Sequence, residues 1–460
     1  MNETHEEIDY NARAKSVLGY SRWWQLASAV VMMALVSPYQ YVWSALEGPL
    51  ATRLDASLAV VGFVFTLYVI VMSLTQFPAG WYRDRHGPRL LTALAGVLAG
   101  GGYLGTAYAA TTWQLFVAYG IGAVGVGIVY TIAVNTAIKW FPDKRGLTTG
   151  VGTMAFGAGS AMFVPYIRAN ASPEALPGAL TVMAAIIAVG ILAGSYFMRD
   201  PPSGYDDLEF DPEAATIGAG TEDESDVDAE SDVDAESDPD AESGVDAESD
   251  GADNESGDAL SSIKEYTWRE TIRTWQFWTM YLMFTLVATT GLMITARVVL
   301  YAEHLQLTAI AATAAATLLP LASGGGRLVV GGLSDRFPRE QVMAVSFVTT
   351  GVATFGIVAS GIFETGIGYI LTVAVAVFFW SAQFSLFPST VADYYGPTYS
   401  SSNYALLYSS KMWGGVFGGG VGAWLVGVLG WDASFLIAGG LAVASGLLAL
   451  ILRPPEGERH

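Results

Sequence analysis

The sequence predicts an all-α membrane protein of twelve transmembrane helices, arranged as two pseudo-symmetric halves of six. Three observations carry this prediction. Hydrophobic residues make up 52% of the chain and charged residues only 14%, unlike the balance of soluble globular domains. Twelve apolar runs each approach the about 20 residues that a helix needs to cross the hydrocarbon layer. An acidic segment with almost nothing to build a core from divides these runs six and six.

In chain order, residues 1–22 form a polar, acidic tail without the short apolar core and small-residue cleavage site of a signal peptide. The first half covers 23–198, with expected spans at 23–45, 57–80, 90–110, 114–138, 146–168 and 177–198. The second half covers 275–452, with spans at 276–301, 308–331, 341–362, 367–391, 402–428 and 432–452, followed by a tail at 453–460. Cytoplasmic segments retain lysine and arginine. With the N-terminus inside, only Arg53 and Arg168 fall on external segments, and Arg297, Arg327 and Lys411 fall within helices. Both termini are therefore expected in the cytoplasm of a cell-membrane protein.

Residues 199–274 connect the halves. Between Arg199 and Lys264 the chain carries no lysine or arginine and more than half of its 43 acidic residues. The hexapeptide DVDAES stands at 226–231 and 232–237, followed by DPDAES and GVDAES. The composition predicts a disordered, self-repelling cytoplasmic tether suited to a cell with high internal salt. There is no cysteine, and His5, His86, His304 and His460 are scattered, so neither a metal centre nor a cofactor is expected. No nucleophile and base pair, phosphate loop or nucleic-acid motif is found, which argues against an enzyme.

The two halves echo each other. After the second span stands Gly80-Trp-Tyr-Arg-Asp84-Arg85-His-Gly87-Pro-Arg89, and after the eighth Gly331-Gly-Leu-Ser-Asp335-Arg336-Phe-Pro338-Arg339. The first copy resembles the cytoplasmic loop signature of the major facilitator superfamily; the second departs from it at Pro338 and Glu340. Three further stretches resemble the oxalate:formate antiporter family within it: Ser37-Pro-Tyr-Gln40-Tyr41-Val-Trp43, Lys139 to Gly150, and Phe387 to Gly396. The resemblance covers both halves. It implies two rocking six-helix units around a central site, a monomer in the bilayer, and loop residues Gly80, Asp84, Arg85, Gly87, Arg89, Gly331, Asp335 and Arg336 that help latch the cytoplasmic side.

Arg327 and Lys411 carry the chemistry. Lys411 lies ten residues into its span, about 15 Å, and Arg327 eight residues before Asp335, about 12 Å, which puts both near mid-membrane. An arginine at that depth costs about 2.5–3.5 kcal/mol on insertion scales and needs a partner. Outside the linker the acids fall in tails, loops or helix ends; Glu47, Glu303, Glu364, Asp393 and Asp432 come nearest, and none is expected mid-membrane. The expected partner is therefore a small carboxylate, held by the planar fork of arginine and the point charge of lysine. The alternative is that backbone carbonyls and helix dipoles satisfy the two cations. The resemblance implies the same binding roles for Arg327 and Lys411 and adds Gln40, Tyr41, Tyr130 and Trp380. Helical spacing adds Tyr408, nearly one turn before Lys411, while Phe384 offers a wall without a hydroxyl. Membrane aromatics serve also as packing and interfacial anchors.

Arg297, about 33 Å along its helix from Trp275, is expected near the outer interface with a snorkelling side chain. Glycines 120, 122, 125, 127, 414, 415, 418, 419 and 422 have the small-residue spacings of close helix contacts. Related monocarboxylate transporters carry an aspartate one turn before the eighth-helix arginine; here Ser323 stands there. Without a titratable group mid-membrane, anion exchange is expected over a proton-linked monocarboxylate symport, with a carboxylate sensor as the remote third reading.

Overall fold

A computed structural model describes residues 9–202, 205, 265–334, 336–363, 365–396 and 399–455. The acidic repeats, the outermost tail residues, Asp335 and Glu364 lie outside the described residues, as does the side chain of Asp84. After a short helix at Tyr10–Leu18 come the spans. α1 is a bent pair, Trp23–Tyr41 and Trp43–Arg53. The first half continues with α2 (Leu58–His86), α3 (Arg89–Tyr108), α4 (Thr112–Lys139), α5 (Leu147–Ala169) and α6 (Leu176–Phe197). The second half comprises α7 (Trp275–His304), α8 (Ala309–Ser334), α9 (Arg339–Ile362), α10 (Gly366–Tyr395), α11 (Ser402–Leu429) and α12 (Trp431–Ala449).

Local chemistry sets the helix starts. Ser57, Thr111 and Thr274 accept the orphan N–H groups at the beginnings of α2, α4 and α7. The halves repeat even in their turns. Two residues past the end of α1 stands Asp55, and two past the end of α7 stands Gln306, both in the left-handed region at φ 49° and 56°. Ser57 then accepts from Val60 N–H, as Thr308 accepts from Ala311 N–H. Pro88 and Pro338 stand immediately before α3 and α9. Packing repeats as well: α2 against α4, α3 against α4 and α6, matched by α8 against α10, α9 against α10 and α12.

The halves meet along α5 with α8, α2 with α11, and the end of α1 with α7. Glycines make the α11 contact close. Gly415 and Gly419 lie on Val69 and Thr66 of α2, and Gly414 and Gly418 on Ala288, Thr289 and Met293 of α7. Large apolar side chains such as Phe77, Val189 and Ile310 are exposed on the outside of the bundle, as a lipid-facing surface requires.

An even number of spans returns both termini to one face. Among the described residues ion pairs differ between the two faces. Near the terminal face Arg22–Asp143, Arg83–Asp200 and Lys139–Asp200 tie elements of the first half, and Arg339–Asp393 ties elements of the second. Towards the opposite face Arg168–Glu303 and Arg297–Glu47 each join one half to the other.

Candidate functional site

The site is built on the break in α1. Pro38 has no N–H to donate, which interrupts the ladder, and the helix turns by 48° at Val42 one turn later. Gln40 and Tyr41, on the turn between, are both fully buried.

Arg327 of α8 and Lys411 of α11 converge on them. The Arg327 guanidinium is 3% exposed and donates from Nη1 to the Thr153 carbonyl of α5 at 2.9 Å and from Nη2 to the Tyr41 hydroxyl at 3.4 Å. The Tyr41 hydroxyl also shares a hydrogen bond with Ser323 Oγ, 2.8 Å away. Lys411 is 1% exposed and donates to Gln40 Oε1 at 3.3 Å and to the Tyr408 hydroxyl at 3.1 Å. Each cation of the second half thus reaches the first half through α1.

The ring of Phe384 approaches both charges, its centroid 4.4 Å from the Arg327 guanidinium carbon and 5.3 Å from Lys411 Nζ. Trp380 meets Phe384 edge-on at 5.5 Å and lies against Gly291 of α7, whose missing side chain makes room for the indole. Tyr130 stands edge-on to Phe156 at 5.1 Å and 6.3 Å from Tyr408, and Phe156 faces Arg327 at 5.8 Å. The residues expected at the site, Gln40, Tyr41, Tyr130, Arg327, Trp380, Tyr408 and Lys411, are therefore brought into one cluster. Thr153, Phe156 and Ser323 join them.

Among the described residues neither Arg327 nor Lys411 makes an ion pair. Three buried donors around them have no acceptor: Arg327 Nε, Gln40 Nε2 and Trp380 Nε1. Buried donors are costly to leave unpaired. Two uncompensated cations ringed by unpaired N–H groups form an environment that accepts negative charge and oxygen lone pairs.

The described loop residues occupy the terminal face, away from this cluster. Arg85 stacks on Trp81 at 3.9 Å, and Arg89 lies over the Tyr196 ring at 5.0 Å. Gly87 takes the left-handed φ of 73° that lets the chain leave α2. Gly80 faces Thr131 and Gly331 faces Ser385, while Arg336 is exposed.

Two expectations are overturned. Arg297 does not snorkel: it is 2% exposed and donates to the carbonyls of Gly418 at 2.6 Å and Gly419 at 2.5 Å. Its helix continues to His304, so the side chain lies about 10 Å short of the helix end. Nor is Glu47 at a helix end. α1 resumes after its bend and runs to Arg53 rather than stopping at residue 45, so Glu47 is fully buried, with Oε1 3.7 Å from Arg297 Nη2. An intramembrane carboxylate is thus present, and it belongs to Arg297, not to Arg327 or Lys411.

Comparison with known proteins agrees with the fold. The D-xylose–proton symporter crystal structure aligns with a TM-score of 0.70 over 94% of this chain and 98% of that one, at 14% identity. The Oxalobacter formigenes oxalate:formate antiporter is 30% identical over 441 residues, covering 95% of this chain and 93% of the relative. The Toxoplasma gondii apicoplast pyruvate carrier 1 is 22% identical over 64% of this chain and 56% of its own length. The family model of the Major Facilitator Superfamily matches residues 26–418. The chain is therefore a membrane transporter rather than an enzyme, and it belongs to the Major Facilitator Superfamily, in the family of the oxalate:formate antiporter.

Proposed function

We propose that this transporter moves small organic anions, carboxylates of the oxalate and formate type, across the cell membrane by alternating access and anion exchange, with both termini in the cytoplasm. The observation that carries the reading is the pair of buried, unneutralised cations, Arg327 and Lys411, surrounded by unpaired donors. Arg327 receives one carboxylate through its free Nε edge, and Lys411, which borders the same Phe384 ring, supplies the second charge. A bound dicarboxylate would neutralise both, and Gln40 Nε2 and Trp380 Nε1 are the donors available to its remaining oxygens. An inside-negative potential opposes anion entry by about 2.3 kcal/mol per charge per 100 mV; exchange cancels that penalty for anions of equal charge and lowers it from two charges to one when oxalate enters against formate.

The test is uptake of labelled oxalate into proteoliposomes preloaded with formate, oxalate or nothing, with Lys411→Ala and Arg327→Ala as controls. Uptake that needs internal anion and disappears in both variants is the expected result; full uptake in the variants would overturn the site. A proton-linked symport is the second reading, favoured by the buried carboxylate of Glu47. It predicts uptake into empty vesicles driven by an imposed pH gradient.

A further inference from the structure

Arg297 and Glu47 take no part in the anion site, yet they form a buried charge pair at the junction of the two halves. Their surroundings are asymmetric. Arg297 is anchored within its own half: both guanidinium nitrogens donate to carbonyls of α11 in the widened turn Phe417–Val421, where the i to i+4 ladder opens and leaves carbonyls available. Glu47 comes from the other half, and among the described residues neither of its oxygens has a hydrogen-bond donor, and the charge of Arg297 faces it at 3.7 Å. A contact of that length holds by charge alone and can be released without breaking a hydrogen bond.

The neighbourhood is built to let the halves close here. A side chain on Gly62 of α2 would meet Ala423 at 2.9 Å, Arg297 at 3.0 Å and Glu47 at 3.1 Å, so only glycine fits. One turn further in, Thr66 of α2 donates to the Gly415 carbonyl at 2.9 Å and accepts from Gly420 N–H at 2.7 Å, a second clasp onto the same stretch of α11.

Two helices connect this region to the anion site. α1 carries Gln40 and Tyr41 and, two turns further out, Glu47. α11 carries Lys411 and, about two turns further out, the carbonyls that hold Arg297. A movement that carries α1 as a unit towards α11 draws Gln40 towards Lys411 and Glu47 towards Arg297 together.

We propose that Glu47 and Arg297 form the ionic lock of the external gate, linked to the anion site through α1 and α11. The inference rests on the orientation and on the anion site proposed above. When the halves part on the external side, Arg297 stays with α11 and Glu47 leaves with α1, so both charges meet water together. A pair that only neutralised Arg297 would affect stability and leave access to the interior unchanged.

The chain has no cysteine, so a single reporter can be introduced. Ser44 is 1% exposed and lies one turn inside Glu47 on the same side of α1. The experiment is the rate at which a membrane-impermeant maleimide labels Ser44→Cys from outside, with and without oxalate, in the full-length protein. Adding Glu47→Gln is expected to speed labelling by about tenfold, because the neutral amide no longer attracts Arg297. Glu47→Asp, which keeps the charge but shortens its reach, is expected to give a smaller acceleration and serves if the amide variant does not accumulate. Unchanged labelling in whichever of the two accumulates would overturn the lock. Protection by oxalate is read separately: acceleration by Glu47→Gln without oxalate protection leaves the lock standing and removes the anion site, whereas oxalate protection without acceleration does the reverse.

Discussion

The ring of Phe384 lies 4.4 Å from the guanidinium carbon of Arg327, and the same ring lies 5.3 Å from Lys411 Nζ. A π-face at these distances stabilises a cation without cancelling its charge, by about 0.5–2 kcal/mol. The site can therefore keep two positive charges buried while empty and still present them to an anion. A carboxylate counter-ion in the same place would compete with the substrate.

Replacing Phe384 with leucine keeps the apolar volume roughly constant and removes the π-face. At about 0.5–2 kcal/mol, the expected result is an increase in KM for the transported anion of roughly 2- to 30-fold, with little change in protein yield. Counterflow kinetics in proteoliposomes measure this, and an unchanged KM would show that the ring only fills space.

Exchanging Arg327 for lysine retains the charge but not the fork. Lysine cannot reach the Thr153 carbonyl, the Tyr41 hydroxyl and a carboxylate at once, as the arginine can with its two bonded Nη groups and its free Nε. Loss of one hydrogen bond to a charged group costs about 1.5–3 kcal/mol, so kcat/KM should fall by roughly 10- to 150-fold. A variant that transports as well as the parent would mean that charge alone recognises the anion.

What could be read in the sequence follows from how each feature is encoded. The helices are written in hydropathy, and the duplication in the loops after α2 and α8. Arg327 and Lys411 stand out because a cation in an apolar helix is expensive whatever surrounds it. Glu47 does not stand out. It is followed by Gly48 and Pro49, a sequence that reads as the end of a span, whereas the helix continues through Pro49 to Arg53. Arg297 is misplaced for the same reason: its depth depends on where α7 ends, and its partners are a carboxylate of α1 and carbonyls of a widened turn in α11. Those are tertiary facts. Phe384 likewise resembles ordinary packing until α8, α10 and α11 bring its ring up to two charges.

At the terminal face Arg22 grips Asp143 with two hydrogen bonds of 2.5 and 2.9 Å, closing the loop between α4 and α5 onto the start of α1. These bonds hold the Asp143 carboxyl below the usual carboxylate range. A carboxyl depressed by folding contributes stability above its unfolded-state pKa and loses that contribution as the pH falls through the folded-state value. Asp143→Asn should therefore lower the melting temperature at pH 7, and the difference from the parent should vanish in strong acid. Because the carboxylate is 28% exposed, solvent screening limits the pair to about 1 kcal/mol or less, a shift of at most about 2–4 °C. Thermal unfolding in detergent across pH 3–8 measures it.

The Tyr41–Ser323 hydrogen bond of 2.8 Å places a neutral hydroxyl one turn before Arg327. Ser323→Asp would put a carboxylate there, within reach of Tyr41 and so beside the guanidinium that Tyr41 also contacts at 3.4 Å. The introduced charge would pair with Arg327 and exclude the substrate, so exchange at neutral pH should fall by at least about tenfold, the value of one charge-assisted interaction. Lowering the pH protonates the aspartate and frees Arg327, so uptake should recover in acid, and the sign is opposite to that expected if acid merely unfolds the protein. An acid-side recovery in Ser323→Asp, absent from Ser323→Asn, would place the anion at Arg327. Equal activity of both variants at every pH would mean that the anion binds elsewhere.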